Sequence, residues 1–130
     1  MKVLIVDDSE TVCNGLHKML TGIPGVEICG QAHNGKDGIK AISESKPDAV
    51  ILDIRLPDLS GIEVLKDIRE KKLQTKVIML TNYPYPQYRK KCREMGADYF
   101  FDKVSEIEEI PALIEELAKN KHEKNRSENK

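Results

Sequence analysis

The sequence predicts an α/β domain in which five helices cover a doubly wound, five-stranded parallel sheet. Three observations predict it: short apolar runs recur along the chain, helical periodicity fills the stretches between them, and helix start signals follow several of the runs. Residues 3–6, 49–52, 77–80 and 99–101 are continuous apolar runs, and residues 26–29 form a more mixed fifth. Runs of this length without alternation suit strands buried on both faces, as a parallel sheet between two helical layers requires.

Each element follows in order. After the first run, Ser9 can cap a helix whose Val12, Leu16, Met19 and Leu20 recur at i, i+4, i+7 and i+8. After the mixed run, Asn34-Gly35 and Asp37-Gly38 are turn and cap chemistry near a second helix, not a phosphate loop. After the third, Ser60 with Glu63 makes a capping box for a helix carrying Ile62, Leu65 and Ile68. Tyr83-Pro84-Tyr85-Pro86 stiffens the loop before a fourth helix, which Gly96 stops. Pro111 belongs in the first turn of the last helix, where Ile110, Leu113, Ile114 and Leu117 share a face. Strand and helix alternate five times, so the crossovers are right-handed, and a functional site is expected outside the carboxyl ends of the strands. Residues 1–120 read as one domain, and residues 121–130 as a polar tail expected to be disordered or to fray from the last helix.

With 130 residues the chain suits a single domain. Its 21 basic and 22 acidic residues leave a net charge of −1, which offers no field for nucleic acid or an anionic membrane. Cys13, Cys29 and Cys92 are odd in number and lack C-x-x-C spacing, so neither a disulfide framework nor a zinc site is expected. His17, His33 and His122 share no ligand spacing. Residues 3–6 are too short a run for a signal peptide, and no segment reaches the roughly 18–20 apolar residues of a membrane span. A cytoplasmic protein is expected.

The polar residues that follow the strands carry the chemistry. Asp7 and Asp8 follow the first strand, Asp53 the third, Thr81 ends the fourth and Lys103 follows the fifth. The strand-end rule gathers them on one rim. Three carboxylates brought together repel, and a hard divalent cation with oxygen ligands relieves that; Mg²⁺ takes one or two carboxylates and keeps room for phosphate oxygens. A lysine ammonium and a threonine hydroxyl add donors for a phosphoryl group. Together they form a cradle for phosphoryl transfer, in which one carboxylate acts as nucleophile. Asp53, the lone acid at the end of the central strand, suits that role, leaving the adjacent pair to hold metal.

Val6-Asp7-Asp8-Ser9, the run from Leu52-Asp53 through Pro57 to Ser60-Gly61, Met79-Leu80-Thr81, and Gly96-Ala97-Asp98 through Asp102-Lys103 resemble the bacterial response-regulator receiver family. The resemblance spans residues 2 to about 118 and implies the flavodoxin-like strand order 2-1-3-4-5. It implies that Asp53 is the phosphoacceptor, taking its phosphoryl group from a sensor histidine kinase, a phosphotransfer protein or a small acyl phosphate. It implies Mg²⁺ as cofactor, with Asp8 and Asp53 as ligands, Asp7 as a ligand through water, and the Arg55 backbone carbonyl as a further one. It implies that Thr81 and Lys103 bind phosphoryl oxygens, and that Thr81 and Phe100 switch the surface of the fourth helix, fifth strand and fifth helix that a downstream protein reads. The basic Arg89, Lys90, Lys91 and Arg93 lie on that fourth helix. The state expected is a monomer or a phosphorylation-dependent dimer.

Two positions depart from the family. Val104 follows Lys103 where many relatives have a proline joined by a cis peptide; such a bond to a non-proline costs roughly 3–4 kcal/mol, so the resemblance does not carry that loop's geometry over. Phe100 stands for the commoner tyrosine and lacks its hydroxyl. Arg55 and Tyr83, both large, flank the route of attacking water and are expected to slow or alter dephosphorylation. Competing readings are a Mg²⁺-dependent phosphatase or phosphotransferase, a flavodoxin-like cofactor binder, a pseudo-receiver that docks partners without phosphorylation, and the receiver half of a longer DNA-binding regulator. Arg55 stands where haloacid-dehalogenase-like hydrolases need a second acid. Asp7-Asp8 stands where a flavin-phosphate loop would need hydroxyls and glycines.

Overall fold

The computed structural model describes residues 1–128. Strands β1 (Lys2–Val6), β2 (Glu27–Ala32), β3 (Ala49–Leu52), β4 (Lys76–Thr81) and β5 (Tyr99–Asp102) form one parallel sheet in the order β2-β1-β3-β4-β5. The expected order and the five-helix, flavodoxin-like architecture are what the chain adopts. Helices α1 (Glu10–Leu20), α2 (Gly35–Ser45), α3 (Gly61–Glu70), α4 (Pro86–Glu94) and α5 (Ile110–Glu128) connect and close the sheet. One helical turn (Lys103–Glu106) and a 3-10 turn (Ile107–Glu109) bridge β5 to α5.

The strand alternation divides the core in two. Val3 and Ile5 face a layer made by Cys13, Leu16 and Leu20 of α1 with Ile110 and Ile114 of α5. Leu4 and Val6 face the opposite layer, built by Ile42 of α2, Val64, Leu65 and Ile68 of α3 and Cys92 of α4. Both faces are dry, which explains why the central strands read as unbroken apolar runs. The caps stand where expected: Ser9 Oγ accepts from the Val12 amide at 3.2 Å, and Ser60 with Glu63 forms the capping box of α3. Gly96 takes φ +95° just past the Met95 C-cap of α4, a left-handed backbone that glycine adopts without a Cβ penalty.

Two boundaries differ from the sequence reading. β2 runs to Ala32, past the mixed apolar run, because pairing with β1 continues through Val6↔Ala32 after a register shift beside Val3 and Leu4. The last helix runs to Glu128, into the stretch expected from sequence to be a polar tail that is disordered or frays from that helix. Its polar end has local support: Lys119 pairs with Glu115 at 3.6 Å, and the Lys121 ammonium reaches Asp48 Oδ1 at 2.7 Å. Residues 129–130 of that expected tail lie outside the described residues. Among those described, no helix is long and apolar enough to cross a membrane.

Candidate functional site at the carboxyl ends of the strands

The sheet's own hydrogen bonding places the acids. The Asp7 amide donates to Ala32 O and the Asp53 amide to Val6 O, both at 3.0 Å, so each residue is held as the next rung of its strand. Asp7 and Asp53 are buried, and Asp8 stands exposed on the rim. One carboxylate oxygen from each of the three lies within 4.8 Å of the others, a spacing that could hold a metal ion.

Lys103 reaches between two of them. Its ammonium donates to Asp7 Oδ2 at 2.6 Å and to Asp53 Oδ2 at 2.8 Å. The other oxygens accept from backbone: Asp7 Oδ1 from the Ser9 amide at 2.8 Å, and Asp53 Oδ1 from the Ile54 amide at 2.7 Å. Burial alone would lower the lysine pKa, but hydrogen bonds and attraction from Asp53 and Asp7 outweigh it and hold Lys103 above its ordinary value. At Asp7 burial wins instead. Desolvation holds its carboxyl above the usual range despite the Lys103 and Ser9 hydrogen bonds. The Cys13 thiol, which donates to Asp7 O at 3.4 Å, is pushed up to about 11 by burial first and by the Asp7 charge second.

A proton would therefore compete at Asp7 with any cation the cluster holds. Divalent-ion affinity should weaken as pH falls, with the decline beginning above the ordinary carboxylate pKa of about 3.9. Mg²⁺ titrations at a series of pH values check this; an affinity constant down to pH 4 would contradict it.

Thr81 is fully buried at the end of β4, and its hydroxyl oxygen accepts from the Tyr83 amide at 3.1 Å, leaving its own proton free to be donated. Lys103 opens its helical turn behind an Asp102 N-cap, whose side chain accepts from the Val104 amide at 2.9 Å. No cis peptide occurs among the described residues, so the Lys103–Val104 bond is trans. Arg55 is exposed and stacks its guanidinium 3.8 Å from the Tyr83 ring centroid, joining the loops after β3 and β4. Phe100 is half-buried against the α2–α4 side of the core. The Arg89 guanidinium lies 4.6 Å from its ring centroid and donates to its carbonyl at 3.3 Å.

Asp7, Asp53 and Lys103 thus meet directly and Asp8 shares their carboxylate cluster, Thr81 ends the neighbouring strand β4, and the Arg55 and Phe100 side chains stack with Tyr83 and Arg89. Gly61 belongs to the motif after Asp53, and its task becomes visible only in the fold. Its amide donates to Ile54 O at 2.6 Å, and a Cβ there would fall 1.9 Å from Asp53 O. A Gly61→Ala variant must move the backbone that carries Asp53. It should lose about 3 kcal/mol or more, since overpacking against main chain has no soft neighbour to yield. A urea melt coincident with wild type would contradict that.

A family model described as the response regulator receiver domain matches residues 3–115. The chain belongs to this family. It is 31% identical over 117 residues to the response regulator GacA of Pseudomonas aeruginosa, covering 90% of this chain and 55% of that protein. It is 29% identical over 120 residues to the response regulator protein VraR of Staphylococcus saprophyticus, covering 92% and 57%. The receiver spans about half the length of these curated relatives. The response regulator domain of Thermotoga maritima CheB is similar with TM-score 0.80 and 28% identity, over 92% of this chain and 94% of that one. A CheX-CheY-BeF3-Mg²⁺ complex from Borrelia burgdorferi is similar with TM-score 0.75 and 28% identity, over 88% and 89%. Receivers are signalling phosphoacceptors rather than catalytic enzymes.

Proposed function

We propose that this receiver takes a phosphoryl group on Asp53 from a histidine kinase or phosphotransfer protein and so controls a downstream protein by contact. One observation carries the reading: a single ammonium bridges Asp7 and Asp53 at 2.6 and 2.8 Å, within a three-carboxylate cluster at the strand ends. The donor set, three carboxylates with the Arg55 carbonyl close along the chain, suits Mg²⁺. When bound, Mg²⁺ would neutralise the acids and the incoming phosphoryl oxygens. Asp8, Asp53 and the Arg55 carbonyl would hold it directly, and Asp7 through water.

The step is a displacement at phosphorus. A carboxylate oxygen of Asp53 forms the new P–O bond while the P–N bond to the donor imidazole breaks, and the electron pair leaves with the nitrogen. Lys103 is already poised to exchange a carboxylate partner for a phosphoryl oxygen. The Thr81 hydroxyl has an uncommitted proton for another. In drawing toward the phosphoryl group, Thr81 would open space beside β4 for Phe100 to turn inward, and the Arg89 stack on its ring would be released or follow. A two-state shift of the α4–β5–α5 surface is the output.

The test is incubation with acetyl phosphate and Mg²⁺, read by intact mass. The mass should rise by one phosphoryl group with Mg²⁺ and stay unchanged in EDTA; no gain in either would sink the proposal. The Arg55–Tyr83 stack should also restrict water. Replacing both by alanine is expected to shorten the aspartyl-phosphate lifetime severalfold, and an unchanged lifetime would count against the stack as a barrier.

A further inference from the structure

The loop that follows Asp53 is pinned to α2 by a residue the phosphoryl chemistry does not use. Asp58 is exposed, yet its carboxylate accepts three backbone amides: Gly35 at 2.6 Å and Leu59 at 2.7 Å on Oδ1, and Lys36 at 3.0 Å on Oδ2. Desolvation would raise its carboxyl, but these bonds together outweigh it and hold the group below the ordinary range. Gly35 and Lys36 are the first two residues of α2, and the third amide, Asp37, is capped locally by Asn34 Oδ1 at 2.8 Å. The helix start is therefore satisfied from two sources, its own N-cap and a loop distant in sequence. The contact is close as well as bonded: a Cβ on Gly35 would meet Leu59 Cβ at 2.7 Å and Asp58 Oδ1 at 3.1 Å.

The start of the loop has its own anchors, Leu56 packed against the core and Arg55 stacked on Tyr83. At its base Arg55 pairs with Ser60 in an isolated antiparallel bridge, and the Gly61 amide donates to Ile54 O. The bridge closes the loop, while the Asp58 tie fixes where its tip rests. Both Asp53 and the Arg55 carbonyl belong to this segment.

We propose that Asp58 is a positioning residue for the metal site: by tying the tip of the β3–α3 loop to the first turn of α2, it holds the Arg55 carbonyl where a cation can use it. The inference rests on the Mg²⁺ reading given above. Residues that orient ligands, without touching the metal, commonly change its affinity by tenfold or more.

Mg²⁺ affinity, read by amide-resonance titration with MgCl₂, tests it on four proteins. Asp58→Ala should bind Mg²⁺ about tenfold more weakly than wild type. Asp58→Asn keeps an oxygen for Gly35 and Leu59 and should stay within about twofold. Asn34→Ala removes the other cap of the same helix start and so weakens α2 without touching the loop; its Mg²⁺ affinity should match wild type. Equal affinity in Asp58→Ala and wild type would overturn the positioning role and leave Asp58 a helix cap. An equal loss in Asn34→Ala would overturn it too. If wild type itself does not bind Mg²⁺, the reading of the site fails first. Should Asp58→Ala not fold, wild type alone still decides, because coupling is reciprocal: saturating Mg²⁺ should slow hydrogen exchange of the Gly35 and Lys36 amides, and unchanged exchange overturns the proposal.

Discussion

Replacing Asp53 by asparagine is expected to remove phosphoryl incorporation entirely while leaving the fold in place. The amide has no anionic oxygen to attack phosphorus, so the chemistry is lost rather than slowed. The packing is nearly unchanged, since asparagine has the same shape, although its single carbonyl oxygen can accept from the Lys103 ammonium or from the Ile54 amide but not from both. Removing one of two buried negative charges also relieves repulsion with Asp7. Intact mass after acetyl phosphate and Mg²⁺ should show no added phosphoryl group, alongside a thermal melt close to that of wild type. Incorporation at the wild-type level would show that another group is the acceptor.

Lys103→Met should destabilise the fold strongly. The ammonium is buried and is the shared partner of Asp7 and Asp53, so its loss strands two carboxylates away from water. Breaking a buried ion pair from one side costs about 3–5 kcal/mol. The pH dependence has a definite sign. In the wild type the Lys103 contacts oppose the burial that raises Asp7; without them, burial and the Asp53 charge both act upward. A carboxyl raised in the folded state contributes its full stabilisation below its unfolded pKa of about 3.9, and that contribution is lost progressively as pH rises through the folded value. The variant should therefore be more stable at pH 5 than at pH 8, with a wider gap between the two than wild type. Mg²⁺ should recover part of the loss at pH 8, because a cation bound only by the folded state stabilises it. Urea melts at both pH values, with and without Mg²⁺, measure all of this; coincident variant and wild-type melts would contradict it.

Much of this was legible in the chain. The apolar runs located four strands because both faces of the sheet are dry, which leaves no alternation to confuse the pattern. Asp7, Asp8, Asp53, Thr81 and Lys103 could be gathered on one rim because each sits at a strand end, and the topology decides which end. Spacing could not say which partner Lys103 chooses. Its bond to both Asp7 and Asp53 depends on a side-chain path set by the helical turn that Asp102 caps, and that turn has no apolar periodicity to announce it. The edge strand β2 ran past its apolar run because its pairing with β1 continues to Val6↔Ala32 through residues that are only half-buried. The reach of α5 rested on ion pairs such as Lys121–Asp48, which join residues far apart in sequence. Asp58 carried a faint signal, an aspartate directly after Pro57 in a turn-forming stretch, but nothing local could name Gly35 and Lys36 as its partners. The Arg55–Tyr83 stack was anticipated as two bulky neighbours of the site, not as a contact.

The most direct measurement of the central claim is the location of the phosphoryl group itself. Borohydride reduces an acyl phosphate to the alcohol, so protein treated with acetyl phosphate and Mg²⁺, reduced, digested and sequenced by mass spectrometry should carry homoserine at position 53 and unmodified aspartate at positions 7 and 8. Homoserine at another position, or none in fully treated protein, would contradict the account.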